Sequence, residues 1–94
     1  MITIRWTDTA EDAYLALLQS AYTRSTEAAL YLDEQLERLL GRLRLFKYHC
    51  PLLEKIPGLR RCVITQYLGL VYDVSGDLIT IVSVFDTRTD HPFH

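Results

Sequence analysis

A single arginine near the carboxyl end of the chain follows a strongly apolar segment. Leu78–Phe85 is apolar at most positions, and Arg88 comes soon after it, with Asp86 two residues before and Asp90 two residues after. A cation just beyond a buried strand can be aimed by a rigid sheet at an anionic group. The two aspartates could instead hold Arg88 in a structural ion pair, so the sequence leaves both roles open.

The other chemically versatile side chains lie in a connector, residues 47–57, that is bracketed by prolines. His49 and Cys50 are neighbours there, but no further ligand follows at a zinc-like spacing, which argues against a metal or thiol–histidine site. Cys50 and Cys62 form neither a CxxC motif nor a metal-ligand set. We therefore predict that both remain thiols, with Cys62 packed in a strand.

Length and composition limit the chain to one compact domain spanning residues 1–94. Apolar residues make up 49% of the 94 residues and charged residues 23%, as in ordinary globular proteins. No stretch approaches the eighteen or so apolar residues of a membrane span, and the N-terminus lacks a signal-peptide pattern. We expect a cytoplasmic protein with no membrane partner and no cofactor.

The net charge of −2 denies the chain the overall positive field of most nucleic-acid binders. A local basic patch is still conceivable, because four basic residues lie close together at Arg38, Arg42, Arg44 and Lys47. The alternative is a solvated helix face in which Glu34 and Arg38 pair at i, i+4. The spacing favours the solvated face.

The first half of the chain predicts a strand followed by two helices. Ile2–Trp6 alternates apolar and polar residues as a half-buried strand does, and Thr7 or Asp8 can cap the helix that follows. Ser25 is a good cap for a second helix, which ends near Phe46. Two apolar stripes at helical spacing run through these segments: Ala10, Tyr14, Leu17, Leu18, Ala21 and Tyr22, then Ala29, Leu32, Leu36, Leu39, Leu40 and Leu43.

The second half predicts three strands in a meander, Leu59–Thr65, Tyr67–Val74 and Leu78–Phe85, with a turn at Ser75–Asp77. The nearly continuous apolarity of the last strand indicates an interior position in the sheet. The predicted fold class is therefore α+β, in the order β-α-α-β-β-β, with the helical hairpin packed on a mainly antiparallel four-stranded sheet.

The residues as a whole resemble the RelE/ParE superfamily of small toxins from bacterial toxin–antitoxin pairs. The resemblance runs nearly end to end and rests on the order and spacing of Ile4–Thr7, the leucine-striped hairpin, Leu70–Val74 and Phe85–Pro92. It implies a cytoplasmic toxin held inactive by a cognate antitoxin, whose complex often represses its own operon. RelE-like members cleave mRNA in the ribosomal A site, whereas ParE-like members inhibit DNA gyrase.

The resemblance also implies candidate site residues. Arg88 matches the family's arginine after the last strand, Arg60 falls near basic positions of RelE-like members, and His91 lies where some members place a terminal acid–base residue. Arg61 points to the opposite face of its strand from Arg60. Where RelE-like members carry an arginine before the Leu-Val-Tyr motif this chain has Gly69, which cannot bind a phosphate.

Two classes of function therefore remain open. The chain is a toxin neutralised by an antitoxin, acting either as an mRNA endonuclease or as a gyrase inhibitor, or it is a diverged, non-toxic binding module with the same fold. Gly69 and the acidic charge balance weigh against the nuclease, whereas Arg60 and His91 favour it.

Overall fold

The computed structural model of the chain describes residues 1–89. Within this range the elements appear in the predicted order of one strand, two helices and three strands, which confirms the α+β fold class. Their bounds are β1 Thr3–Trp6, α1 Asp8–Arg24, α2 Thr26–Leu45, β2 Leu59–Thr65, β3 Leu68–Ser75 and β4 Leu78–Asp86. Neither described helix is both long and apolar enough to cross a bilayer.

The four strands form one mixed sheet in the order β1-β4-β3-β2. β1 runs parallel to β4, and the other two pairs are antiparallel. β4 has a neighbouring strand on each side, which confirms the interior position predicted from its apolar run. The β3–β4 register shifts between Val71 and Tyr72, where β4 contains one extra residue, Val82.

Side-chain caps define where the two helices begin. The hydroxyl of Thr7 accepts from the backbone N–H of Ala10 at 3.1 Å, so Thr7 rather than Asp8 caps α1. The Ser25 hydroxyl accepts from the Ala28 N–H at 3.0 Å, and Ser25 both ends α1 and caps α2. A single residue therefore separates the helices and forces them into the predicted hairpin.

The helical hairpin covers one face of the sheet with its apolar stripes. Tyr14 and Ala21 of α1 are buried, together with all six predicted positions of α2. The placement of Tyr22 in this stripe was wrong, because its side chain is 59% exposed. The buried face of α1 is narrow here, so Ala21 is buried whereas Tyr22, about 100° further round the helix, is exposed.

The connector lies along the outer edge of β2. Leu52 forms an antiparallel bridge with Arg60, the Arg61 N–H donates to the Pro51 carbonyl at 3.0 Å, and the Leu53 N–H donates to the Leu59 carbonyl at 2.8 Å. The open edge of the sheet beside β2 is therefore covered over part of its length.

The prediction that Cys50 and Cys62 remain thiols was wrong, because they form a disulfide. The bridge between Leu52 and Arg60, continued by two residues, sets Cys50 directly opposite Cys62, with their Cα atoms 5.3 Å apart. Cys62 is packed in β2 as predicted. Spacing along the sequence carried no sign of this pairing, since it depends on how the connector folds back.

Candidate functional site

Arg88 lies in a tight turn that follows β4. The Thr87 N–H donates to the Tyr67 carbonyl at 2.7 Å, and the Thr89 hydroxyl donates to the Asp86 carbonyl at the same distance. The first contact joins the end of β4 to the turn between β2 and β3, and the second closes the turn that contains Arg88. The sheet therefore fixes the position of Arg88, as its place after a buried strand predicted.

The guanidinium of Arg88 is paired with the Asp86 carboxylate. Its Nε and Nη2 donate to the two carboxylate oxygens at 3.0 and 2.7 Å, and the Arg88 backbone N–H donates to the same carboxylate at 2.8 Å. These hydrogen bonds lower the pKa of Asp86 to about 2, and the pairing raises the pKa of Arg88. Of the two roles left open by the sequence, the structure contains the ion pair.

The paired Arg88 also stacks on an aromatic ring at the rim of a groove. Its guanidinium carbon lies 4.3 Å from the centroid of Tyr67. The groove, of about 300 Å³, lies between the tip of the helical hairpin and the turn that joins β2 to β3. Arg24 and Tyr31 line it from the helices, and Leu17 and Leu32 form part of its apolar wall. This arrangement can bind a partner through both apolar and polar contacts.

Arg60 is remote from this groove and is itself hydrogen-bonded. Its Nη1 donates to the carbonyls of Cys50 at 2.7 Å and Tyr48 at 3.3 Å, and its guanidinium lies 4.9 Å from the Tyr48 ring centroid. Arg60 pairs with Tyr72, which is four positions, about 13 Å, along β3 from Leu68 at the groove. The structure does not bring Arg60 and Arg88 together. Arg60 anchors the connector.

His91, the third candidate, lies outside the described residues. Asp90, the second aspartate considered as a partner for Arg88, also lies outside them. Within residues 1–89 no group of three or more His, Cys, Asp or Glu is arranged to hold a metal ion.

Gly69 lies against a buried aromatic ring on the sheet face opposite the helices. A Cβ atom built on Gly69 would come within 2.7 Å of Cζ of Phe85, closer than real Cβ contacts allow. Gly69 is opposite Phe85 in the β3–β4 register and opposite Val63 in the β2–β3 register. The ring therefore occupies the space in which a side chain at position 69 would begin.

Sequence reasoning passed over Arg61, which lies on this same face. Its guanidinium carbon is 5.5 Å from the Phe85 ring centroid, and its Nε is buried with no hydrogen-bond partner. The alternation of β2 placed Arg60 and Arg61 on opposite faces correctly. It could not tell which face the helices would cover, and that decides which arginine faces the open side.

The basic residues of α2 fit a solvated surface. Arg38 pairs with Glu34 at 3.0 Å, and both side chains are exposed. Arg42 and Arg44 are exposed as well. Lys47, two residues past the end of α2, donates to the Gly76 carbonyl at 2.8 Å. The i, i+4 pair predicted from the sequence is therefore confirmed.

Comparison of the chain with known protein families identifies a family of toxins. The family model that describes the ParE toxin of the type II toxin–antitoxin system parDE matches residues 4–91. The chain's sequence matches none of the curated proteins with which it was compared.

Solved structures resemble the chain over nearly its full length. The chromosomal ParDE system of P. aeruginosa aligns with a TM-score of 0.75 at 18% identity, covering 92% of this chain and 96% of that one. A copper-bound mutant toxin from Helicobacter pylori gives 0.72 at 19% identity, with coverages of 94% and 97%. The DinJ-YafQ complex of E. coli gives 0.63 at 14% identity, with coverages of 94% and 96%. At these identities the structural likeness shows a shared fold.

Proposed function

We propose that this chain, which belongs to the ParE toxin family of type II toxin–antitoxin systems, is a cytoplasmic toxin that a cognate antitoxin neutralises. In this proposal the toxin acts by binding DNA gyrase rather than by cutting mRNA. The antitoxin partner is supported by related structures of toxin–antitoxin systems, ParDE and DinJ-YafQ. Operator binding by the toxin–antitoxin complex belongs to the same proposal.

The contact between Gly69 and Phe85 carries the choice of target. RelE-like nucleases resemble this chain but have an arginine at the position of Gly69. Here the Phe85 ring lies 2.7 Å from where the Cβ of such a residue would be, so an arginine could enter only if a buried ring moved away. The packing of Phe85 against Gly69 therefore leaves no room for an arginine that would contact a phosphate from this position.

The hydrogen bonds of the other two basic candidates support the same choice. Cleavage of RNA without a metal needs cations free to stabilise charge on the scissile phosphate. Arg88 donates to both carboxylate oxygens of Asp86, and Arg60 donates to two backbone carbonyls. The charge of Arg88 is already balanced by Asp86, and Arg60 is held against the connector, so a phosphate would have to compete with these contacts. The net charge of −2 adds no long-range attraction for a polyanion.

The second candidate function is an mRNA endonuclease, and the position of Arg88 favours it. Arg88 matches the arginine that the superfamily carries after its last strand, and it lies at the rim of a groove that a nucleotide could enter. In that case the ion pair with Asp86 would open on substrate binding. His91 would then supply the acid–base group.

One induction experiment separates these functions. We would express the chain without antitoxin, measure growth, and map new mRNA 5′ ends in translating cells. The proposal expects growth arrest without breaks at ribosome-occupied codons. Breaks at such codons that disappear with Arg88→Ala would establish the endonuclease instead, with Arg38→Ala as the control for loss of an exposed arginine. Neither arrest nor breaks would identify a diverged, non-toxic binding module.

A further inference from the structure

A second cavity in residues 1–89 lies away from Arg88, between the connector and β2. Its volume is about 500 Å³. The connector forms one wall, fastened to β2 by the bridge between Leu52 and Arg60 and by the disulfide. Its lining includes Leu52, Leu53, Glu54, Lys55, Arg61 and Val63.

Arg61 lines this cavity, and one of its donors, Nε, is unpaired. Its guanidinium is held against the ring of Phe85, 5.5 Å from the centroid. Its Nε is buried without a hydrogen-bond partner, and no residue in 1–89 forms a salt bridge with its side chain. A buried donor without an acceptor is costly and is rare in folded proteins. An acceptor supplied by a ligand would remove that cost.

The other arginines of the described chain differ from Arg61 in one of two ways. Three of them already donate to an acceptor within the chain: Arg38, Arg60 and Arg88. Four others are exposed and free to point into solvent: Arg5, Arg24, Arg42 and Arg44. Arg61 is both partly buried and unpaired, so its side chain is already ordered for a partner and little conformational entropy would be lost on binding.

The walls of the cavity specify what accompanies the acceptor. Leu52 is 57% exposed and Val63 is 64% exposed, and both line the cavity with Leu53. Exposed apolar side chains in a group indicate a surface that a protein partner covers. Glu54 lines the same cavity as Lys55, so the charge around Arg61 is mixed rather than strongly positive. Such a surface fits one carboxylate better than the repeated phosphates of a nucleic acid.

We propose that this cavity binds a segment of the antitoxin in which a carboxylate pairs with Arg61 while a neighbouring apolar side chain packs on Leu52 and Val63. The planar guanidinium matches a carboxylate with two parallel hydrogen bonds. The occupant rests on the proposed function, because it assumes an antitoxin. The affinity of the cavity for a carboxylate does not depend on that function, so it can be tested without an antitoxin.

The first test uses a small probe, N-acetyl-L-leucine, which carries one carboxylate beside one apolar side chain. NMR titration should shift the Arg61 Nε–H signal and the methyl signals of Leu52 and Val63. The uncharged N-acetyl-L-leucinamide should bind about tenfold more weakly, as expected for loss of one charge-assisted pair. Equal binding of acid and amide, or binding of inorganic phosphate in preference to both, would overturn the proposal.

Two variants assign the binding to the guanidinium. Arg61→Met keeps an unbranched stem over Phe85 and removes the charge, so probe binding should weaken by about tenfold. Arg42→Met, which removes an exposed arginine on α2, should leave probe binding unchanged. Unchanged chemical shifts far from the cavity would show that Arg61→Met is folded. Equal probe affinity of wild type and a folded Arg61→Met would refute the role of Arg61.

The second test uses the purified cognate antitoxin. Arg61→Met should weaken antitoxin binding by about tenfold, whereas Arg42→Met should not. Unchanged affinity of Arg61→Met for the antitoxin would overturn the assignment of the occupant. Failure of the proposed function would look different, because it would be a lack of growth arrest or of gyrase inhibition by the wild-type toxin alone.

Discussion

Arg88 and Arg61 both lie against an aromatic ring, yet their surroundings differ. Arg88 stacks on Tyr67 and donates to both oxygens of Asp86, so its charge is balanced within the chain. Arg61 lies over Phe85 and has no acceptor among the described residues. Arg88, which matches the family's arginine, is thus paired with a carboxylate of the same chain. Arg61, which lies against the same Phe85 ring as Gly69, keeps an unpaired donor. The hydrogen bonds of the two arginines therefore distinguish side chains that the sequence alone does not.

The largest expected effect comes from the disulfide that holds one wall of the Arg61 cavity. The double variant Cys50→Ala/Cys62→Ala opens a loop with a sequence separation of 12. For a loop of this length we expect the free energy of unfolding to fall by about 2–3 kcal/mol. Urea denaturation measures this change.

Treatment of the wild type with a reductant supplies the control for that prediction. Reduction should give a similar loss, and it should weaken binding of N-acetyl-L-leucine at the cavity while leaving the NMR signals around Arg88 in place. If the stability and probe binding of the wild type did not change on reduction, the disulfide would not be what holds the connector against β2.

The next effect concerns the ring beneath Arg61. Gly69→Ala sets a methyl group against Phe85, and we expect a loss of about 1–3 kcal/mol in the free energy of unfolding because the buried ring must shift. Gly41→Ala is the matched control, since a Cβ there meets nothing within 4 Å. That helical substitution should stabilise by about 0.5–1 kcal/mol. Equal effects of the two substitutions in urea denaturation would refute the close packing at Gly69.

Neighbouring arginines on β2 provide a direct contrast of paired and unpaired side chains. Arg60→Met removes donors to the carbonyls of Cys50 and Tyr48, and we expect a loss of about 1–2 kcal/mol in the free energy of unfolding. Arg61→Met removes no hydrogen bond of the described chain and also removes the buried, unpaired Nε, so we expect no loss of stability. Thermal and urea denaturation of both variants would test the order, and a larger loss for Arg61→Met would reverse it.

The smallest effect is expected from the pair of Asp86 and Arg88, because an ion pair so open to solvent stabilises little. Arg88 lowers the pKa of Asp86 to about 2, below the value of about 3.9 for an unfolded chain. A lowered pKa in the folded state stabilises above the unfolded value, so the contribution is present above about pH 4 and is lost as the pH falls toward 2.

The pH dependence of Arg88→Met measures that contribution. The difference in melting temperature between wild type and Arg88→Met should be present at pH 6 and should shrink as the pH falls from 4 toward 2. A difference that stays constant over this range would show that the pairing does not control the stability of the turn.

Local patterns in the sequence predicted most of the fold. The cap at Ser25 and the two apolar stripes predicted the hairpin, and the apolar run of Leu78–Phe85 predicted an interior strand. These features depend on neighbours in sequence and on burial of one face. The position of Tyr22 was wrong because periodicity alone does not show how wide the buried stripe is.

The candidate site was harder to predict because it depends on contacts between distant segments. The pairing of Cys50 with Cys62 follows from how the connector folds back on β2. The sequence marked the absence of an arginine at Gly69, but the ring that fills the space comes from β4. Arg61 was passed over because strand alternation does not identify the open face of a sheet.

A gyrase supercoiling assay with the purified chain is the decisive test of the proposed target. We expect the wild-type toxin to inhibit supercoiling by gyrase, the cognate antitoxin to relieve this inhibition, and the same preparation to leave mRNA on translating ribosomes intact. Unimpaired supercoiling together with cleavage of ribosome-bound mRNA, lost in Arg88→Ala, would contradict the proposal.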